Sequence, residues 1–115
     1  MFLAGRWYTV VLNRPVSSRS PSETLDVAML QDQILAPLLG VGDPRVDKRI
    51  DFIGGARGTS ALERAVGTGA AAIAFSLAPV SVADLMAISD AGEIMPPKST
   101  WFEPKLRDGL LIHVI

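Results

Sequence analysis

The sequence predicts an α/β fold, with α+β as the neighbouring class: a single mixed sheet of about four strands alternating with three helices. Three observations carry this. Strand-like and helix-like stretches alternate along the chain, in the order strand, helix, strand, helix, strand, helix, strand. The run at 70–77, AAAIAFSL, is apolar without alternating polarity, as a central strand covered on both faces requires. The length of 115 residues, with 49% hydrophobic and 20% charged residues, suits one soluble globular domain with a real core.

The elements follow in order. Residues 6–12, RWYTVVL, are rich in aromatic and β-branched side chains and read as a strand. Residues 13–24 are polar with two prolines and read as a surface loop. Asp26 is expected to cap the first helix, with Leu25 and Leu30 at the spacing of a hydrophobic staple and Val27, Leu30 and Ile34 on the inward stripe. Pro37 lacks a backbone donor, so the helix should kink or end near Ala36, with Gly40 closing the turn. A second strand is expected at 49–53. Ser60 and Glu63 then have the spacing of a capping box for a short helix ending at Gly67-Thr68-Gly69.

In the apolar strand at 70–77, Ile73, Phe75 and Leu77 point one way and Ala72, Ala74 and Ser76 the other, where small side chains admit a close neighbour. Pro79 ends it. Ser81 caps the third helix, supported by Asp84 and a Val80–Leu85 staple, and Gly92 terminates it. A last strand at 110–115 is expected to run antiparallel at the sheet edge, which would let the long connector before it approach the turn at 54–59.

Composition excludes several chemistries. The absence of cysteine rules out disulfides and thiolate sites, and a lone histidine, His113, rules out histidine clusters. His113 reads as a structural or surface residue. Asp43, Asp47 and Asp51 straddle Pro44 and would not share one face, so they read as solvated charge and no metal site is expected. A net charge of −1 gives no bias toward nucleic acid. The N-terminal apolar run is too short for a signal or a membrane span, so a cytoplasmic address is expected.

Several motifs carry a family resemblance: Gly5-Arg6-Trp7-Tyr8, Leu25-Asp26-Val27 with Leu30, Pro37-Leu38-Leu39-Gly40, Arg49-Ile50-Asp51-Phe52-Ile53-Gly54-Gly55, Ala74-Phe75, and above all GEIMPPKSTWFEPKLRDGL from Gly92. With them the chain resembles the C-terminal part of the bacterial and archaeal family catalogued as domain of unknown function 1015. The resemblance implies a longer protein, of which this single domain would be the C-terminal piece. It implies no reaction and names no cofactor.

Two stretches attract functional readings. In MPPKSTWFEPKLRDG, three prolines stiffen a connector that holds Lys98, Ser99 and Thr100, a phosphate-friendly set of donors, with Glu103 and Lys105 beyond them. Glu103 and Lys98 are the candidates for acid–base chemistry. Trp101 and Phe102 could plug the core edge, stack on a ring, or anchor an interface. In GGARGTS, the Gly54 and Gly55 amides and Arg57 sit ahead of a helix N-terminus, where anions are attracted. Neither stretch matches a Walker loop or a dinucleotide fingerprint. The expectation is part of a site for a small phosphorylated or nucleotide-like ligand; the alternative is a non-enzymatic module that packs on an N-terminal portion.

Overall fold

The chain opens with a tight hairpin, and its turn chemistry dictates where the sheet begins. Residues 1–12 and 20–99 are described by the computed structural model. Strands β1 (Phe2–Leu3) and β2 (Arg6–Trp7) are joined by Ala4 and Gly5, both left-handed with φ of 49° and 78°, as a type I′ turn requires. Met1 and Tyr8 extend the pair by exchanging both backbone hydrogen bonds, at 2.8 and 2.9 Å. Strand β3 (Ile73–Ala74) joins the other side of β1, so the sheet order is β2-β1-β3 and both pairings are antiparallel.

The first predicted strand therefore starts before residue 6, and its second half, 8–12, forms no strand. The strand expected at 70–77 shortens to two residues at the sheet edge.

Between hairpin and β3 lie two helices. Helix α1 (Asp26–Leu30) runs directly into one π-helical turn (Gln31–Leu35). The wider turn suits the approach to Pro37, which cannot donate and whose ring would crowd the carbonyl four residues back. The amides of Ala36 and Leu39 reach back five residues, to Gln31 and Ile34. The element ends at Ala36 as predicted, with Gly40 left-handed at φ 67° beyond it. Asp26 is not the cap; Leu25, extended and buried, occupies that position, and Asp26 is the first helical residue, where its charge suits the dipole.

Helix α2 (Gly58–Gly67) follows a short 3₁₀ turn (Gly55–Arg57), and Ser60 sits inside it rather than capping it. Glu63 instead accepts a hydrogen bond from the Trp7 indole Nε1 at 2.8 Å, tying α2 to the hairpin. Helix α3 (Val82–Asp90) has the predicted capping box between Ser81 and Asp84. It ends in a Schellman closure, with Gly92 at φ 68° and the Glu93 amide on the Ile88 carbonyl.

The sheet lies between helices. Trp7, Phe2 and Ala74 share one face by register, and the indole bond places α2 there. Phe75, one residue on, faces the opposite side and packs with Leu12, Ile34 and Ile50 against a buried cluster of Leu30, Leu35 and Val41. The predicted division of small and large residues in this strand thus holds at Ala74 and Phe75.

Among the described residues the architecture is α+β: helices with a small three-stranded antiparallel sheet, rather than strands and helices in regular alternation. The strand expected at 49–53 is absent because that backbone is spoken for locally. The Arg49 amide is held by Asp47 Oδ1 at 3.0 Å, that of Ile50 by the Asp47 carbonyl at 3.4 Å, and that of Phe52 by Asp51 at 2.7 Å. The strand predicted at 110–115, its direction, and its approach to the 54–59 turn lie outside the described residues.

Candidate functional site

Two concave regions flank the core, and their chemistry differs. The first is a cleft of about 390 Å³ between the turn at 96–99 and the loop at 44–52. Pro97 and Lys98 occupy the centre of that turn, and Lys98 has φ 58°, a left-handed conformation usually left to Gly or Asn. The Ser99 amide closes the turn on the Pro96 carbonyl at 3.4 Å, and the Ser99 hydroxyl donates to the same oxygen. The one proton of that hydroxyl is therefore committed to the turn.

Facing Lys98 across the cleft are Arg45, Lys48, Ile50 and Phe52. Arg45 is held by Asp43 through contacts of 2.7 to 3.1 Å, and this guanidinium lowers the Asp43 carboxyl to about 2. Arg49 does the same for Asp47, also lowered to about 2, and reaches on to the carbonyls of Leu39 and Gly40. Among the described residues neither Lys48 nor Lys98 has an ion-pair partner, so these two ammonium groups give the cleft its positive character.

Gly54, Gly55 and Arg57 stand elsewhere. They form the 3₁₀ turn that leads into α2, with the Arg57 amide on the Gly54 carbonyl at 3.0 Å, and none of them lines the cleft that Lys98 lines. Arg57 is exposed and the α2 cap position has no side-chain hydrogen bond. Thr100, Trp101, Phe102, Glu103, Lys105 and His113 lie outside the described residues.

The second region is a groove of about 580 Å³. One wall is the chain leaving β2, residues 8–12; the other is the chain leaving β3, residues 75–78; Met1 closes one end. Met29 and Leu30 of α1 contribute its floor, and Thr59 of α2 also borders it. Tyr8, Val10 and Leu77 are partly exposed along it and Val11 is 84% exposed, which is an unusual concentration of apolar surface beside unpaired backbone. No backbone hydrogen bond joins residues 9–12 or 76–78 to another described residue.

Sequence reasoning found Lys98 but missed Lys48 and Arg45 opposite it, and it missed the groove altogether. A signal for the first was present: Asp43-Pro44-Arg45 and Asp47-Lys48-Arg49 repeat one Asp-x-Arg spacing, which suits turns closed by their own ion pairs. The groove left no such signal, because 8–12 reads as a strand whether or not a partner is beside it. Among the described residues no helix is long and apolar enough to cross a membrane. No protein-family model, curated protein or solved structure matches the chain.

Proposed function

We propose that this chain is a non-enzymatic α+β module that packs against further polypeptide, such as an N-terminal portion of a longer protein, through the groove between residues 8–12 and 75–78. One observation carries the reading: exposed apolar side chains line the same groove as backbone that no other described residue pairs. Unpaired backbone groups gain by pairing, and exposed apolar surface gains by cover. The family resemblance of Gly5-Arg6-Trp7-Tyr8 and of the motif after Gly92 supports a longer parent protein. Light scattering with a hydrophobic dye tests it. The domain should bind dye and self-associate as concentration rises, and Val10→Asp with Leu77→Asp should suppress both. A clean monomer at high concentration that binds no dye counts against the reading.

A second reading is favoured by the strained turn at Lys98. A non-glycine residue held at positive φ beside a cleft marks a position where geometry serves more than connection. Lys98 and Lys48 would hold a small phosphorylated or nucleotide-like ligand, with Phe52 and Ile50 as its apolar bed; Ser99, Thr100, Glu103 and Lys105, next along the sequence, are the further ligand contacts proposed. Gly54, Gly55 and Arg57 would form a separate anion contact. Thermal-shift measurements against phosphorylated metabolites and nucleotides should give a response that Lys98→Ala and Lys48→Ala each abolish. A wild-type protein that responds to none of them removes this reading.

A further inference from the structure

The cleft beside Lys98 carries four charged residues, Arg45, Asp47, Lys48 and Lys98, and their charges are not equally available. Arg45 directs Nε and Nη2 onto the Asp43 carboxylate at 2.7 to 3.1 Å, and Arg49 answers Asp47 at 2.6 and 3.0 Å. Each of these pairs is neutral. What is left among the described residues is the two ammonium groups of Lys48 and Lys98. Both are point charges, and neither presents the planar fork that suits a carboxylate. The turn adds no donor from Ser99, because its amide and its hydroxyl both close on the Pro96 carbonyl. A turn alone would be served by Gly or Asn at position 98; lysine at φ 58° sets a charge there despite the backbone strain.

The rest of the lining is apolar: Pro44, Val46, Ile50, Phe52 and Pro97. Phe52 is 41% exposed, which leaves its ring able to meet a second flat ring. The volume of about 390 Å³ lies near the lower bound of ligand sites, which run from about 300 to 1,000 Å³. That size suits one ring with one anionic group better than a dinucleotide. We propose that the cleft takes a phosphomonoester dianion borne on a flat ring, in preference to monoanions and to metal-chelated polyphosphates. The proposal rests on reading the cleft as a site for a small phosphorylated ligand.

Charge decides between the ligands. A phosphomonoester carries about −1.5 to −2 at neutral pH, which the two ammonium groups match. A sulfate monoester of the same ring carries a single charge and leaves one ammonium unanswered. Polyphosphates come with Mg²⁺, which proteins hold through one or two carboxylates together with the phosphates. Here the carboxylates at hand, Asp43 and Asp47, are each held by an arginine. Among the described residues no group of three His, Cys, Asp or Glu side chains could hold a metal ion. The apolar bed supplies the other half of the selection, since inorganic phosphate has nothing to lay on Phe52 and Ile50.

The test titrates the full chain with phenyl phosphate, phenyl sulfate, inorganic phosphate and Mg-ATP, at neutral pH and low salt, by calorimetry. Phenyl phosphate should bind about tenfold or more tightly than each of the other three. Lys48→Met and Lys98→Asn should each weaken it by about tenfold, the second without disturbing the turn, because Asn tolerates positive φ. Phe52→Leu should weaken phenyl phosphate and leave inorganic phosphate unchanged. Phenyl sulfate or Mg-ATP binding as tightly as phenyl phosphate, with the loss still seen in both lysine variants, overturns the dianion and leaves a ligand site. Equal binding of inorganic phosphate, or indifference to Phe52→Leu, overturns the ring in the same way. If none of the four binds, or binding ignores both lysines, the proposal and the ligand-site reading beneath it fall together.

Discussion

The stretches at 41–50 and 8–12 are both irregular, both border apolar side chains, and both flank a concavity, yet one is closed and the other open. In the first, the backbone is answered from within. Val46 and Asp47 donate to the Asp43 carbonyl at 3.2 and 3.0 Å, and Gln31 Nε2 serves the carbonyls of Val41 and Gly42 at 2.8 and 2.7 Å. Arg49 ties Gly40 to Asp47. In the second, beyond the Tyr8 pairing, no described residue answers the backbone of 9–12. Irregularity by itself therefore points to nothing; irregularity with backbone unmet among the described residues, beside exposed apolar side chains, is what the packing proposal rests on.

The two stretches meet in one cluster, where Val41 is buried with Leu30 and Leu35 and both Leu12 and Ile50 pack on them. Leu30→Ala should therefore loosen both, at a cost of about 2–5 kcal/mol for a buried leucine truncated in a packed core. Urea unfolding measures the loss, and amide exchange shows its reach. Faster exchange confined to one stretch would show that the cluster does not join them.

The entry to α2, which borders the groove through Thr59, is next in size. Gly58 has φ 64° and ψ −178°, a region essentially reserved for glycine, and a Cβ there would meet nothing within 4 Å. Gly58→Ala thus isolates backbone strain, with an expected loss of about 1–3 kcal/mol. Gly67, at the other end of α2, has equal space and no positive φ, so Gly67→Ala should instead stabilise by about 0.4–1 kcal/mol. Opposite signs in thermal unfolding confirm the assignment; equal signs refute it.

What the sequence made legible was local. The Ser81–Asp84 box, the stop at Ala36 before Pro37 and the breaker at 67–69 each depend on residues within one or two turns, and all are present. What it hid was pairing. The type I′ turn at Ala4-Gly5 lacked the usual Asn-Gly signature, so the hairpin passed for the start of one longer strand. Trp7 and Glu63 lie 56 residues apart, and no spacing rule reaches that far. The candidate site divided likewise: Lys98 stood out in its proline-rich loop, while Lys48 belonged to a charged run that looked merely solvated.

Ala4 offers a gentler way to sharpen the comparison. It holds a left-handed conformation at the hairpin that carries one wall of the groove, a strain of about 1–2 kcal/mol for an L-residue with a Cβ. Asn tolerates that conformation and suits the first central position of a type I′ turn. Ala4→Asn should stabilise the domain by about 1 kcal/mol and slow exchange of the Tyr8 amide, while leaving amides in 41–50 unchanged. An equal slowing in both stretches would mean that the hairpin and the closed loop form one cooperative unit.

Acid should reach the closed stretch first. Asp47 is lowered to about 2 chiefly by hydrogen bonds from the Arg49 side chain, then by the Arg49 amide, from an ordinary value of 3.8. A carboxyl depressed in the folded state favours the fold when ionised. Its contribution is complete above about pH 4, declines as the pH falls toward 2, and is gone below that. Asp43 is shifted equally by Arg45, but the two pairs differ in setting. Among the described residues Arg45 bonds only to its neighbour two residues away, a contact the unfolded chain can also make, and the Asp43 side chain is 39% exposed. Asp47 is 15% exposed, and its arginine also grips the Gly40 carbonyl, a contact that exists only when the loop is folded onto α1. The larger share of the acid sensitivity should therefore belong to Asp47. In urea midpoints measured from pH 6 to pH 2, Asp47→Asn should flatten the decline below pH 4 more than Asp43→Asn does. A matching response in the two variants would mean that Arg49 closes the loop through the Leu39 and Gly40 carbonyls alone, without help from the Asp47 charge.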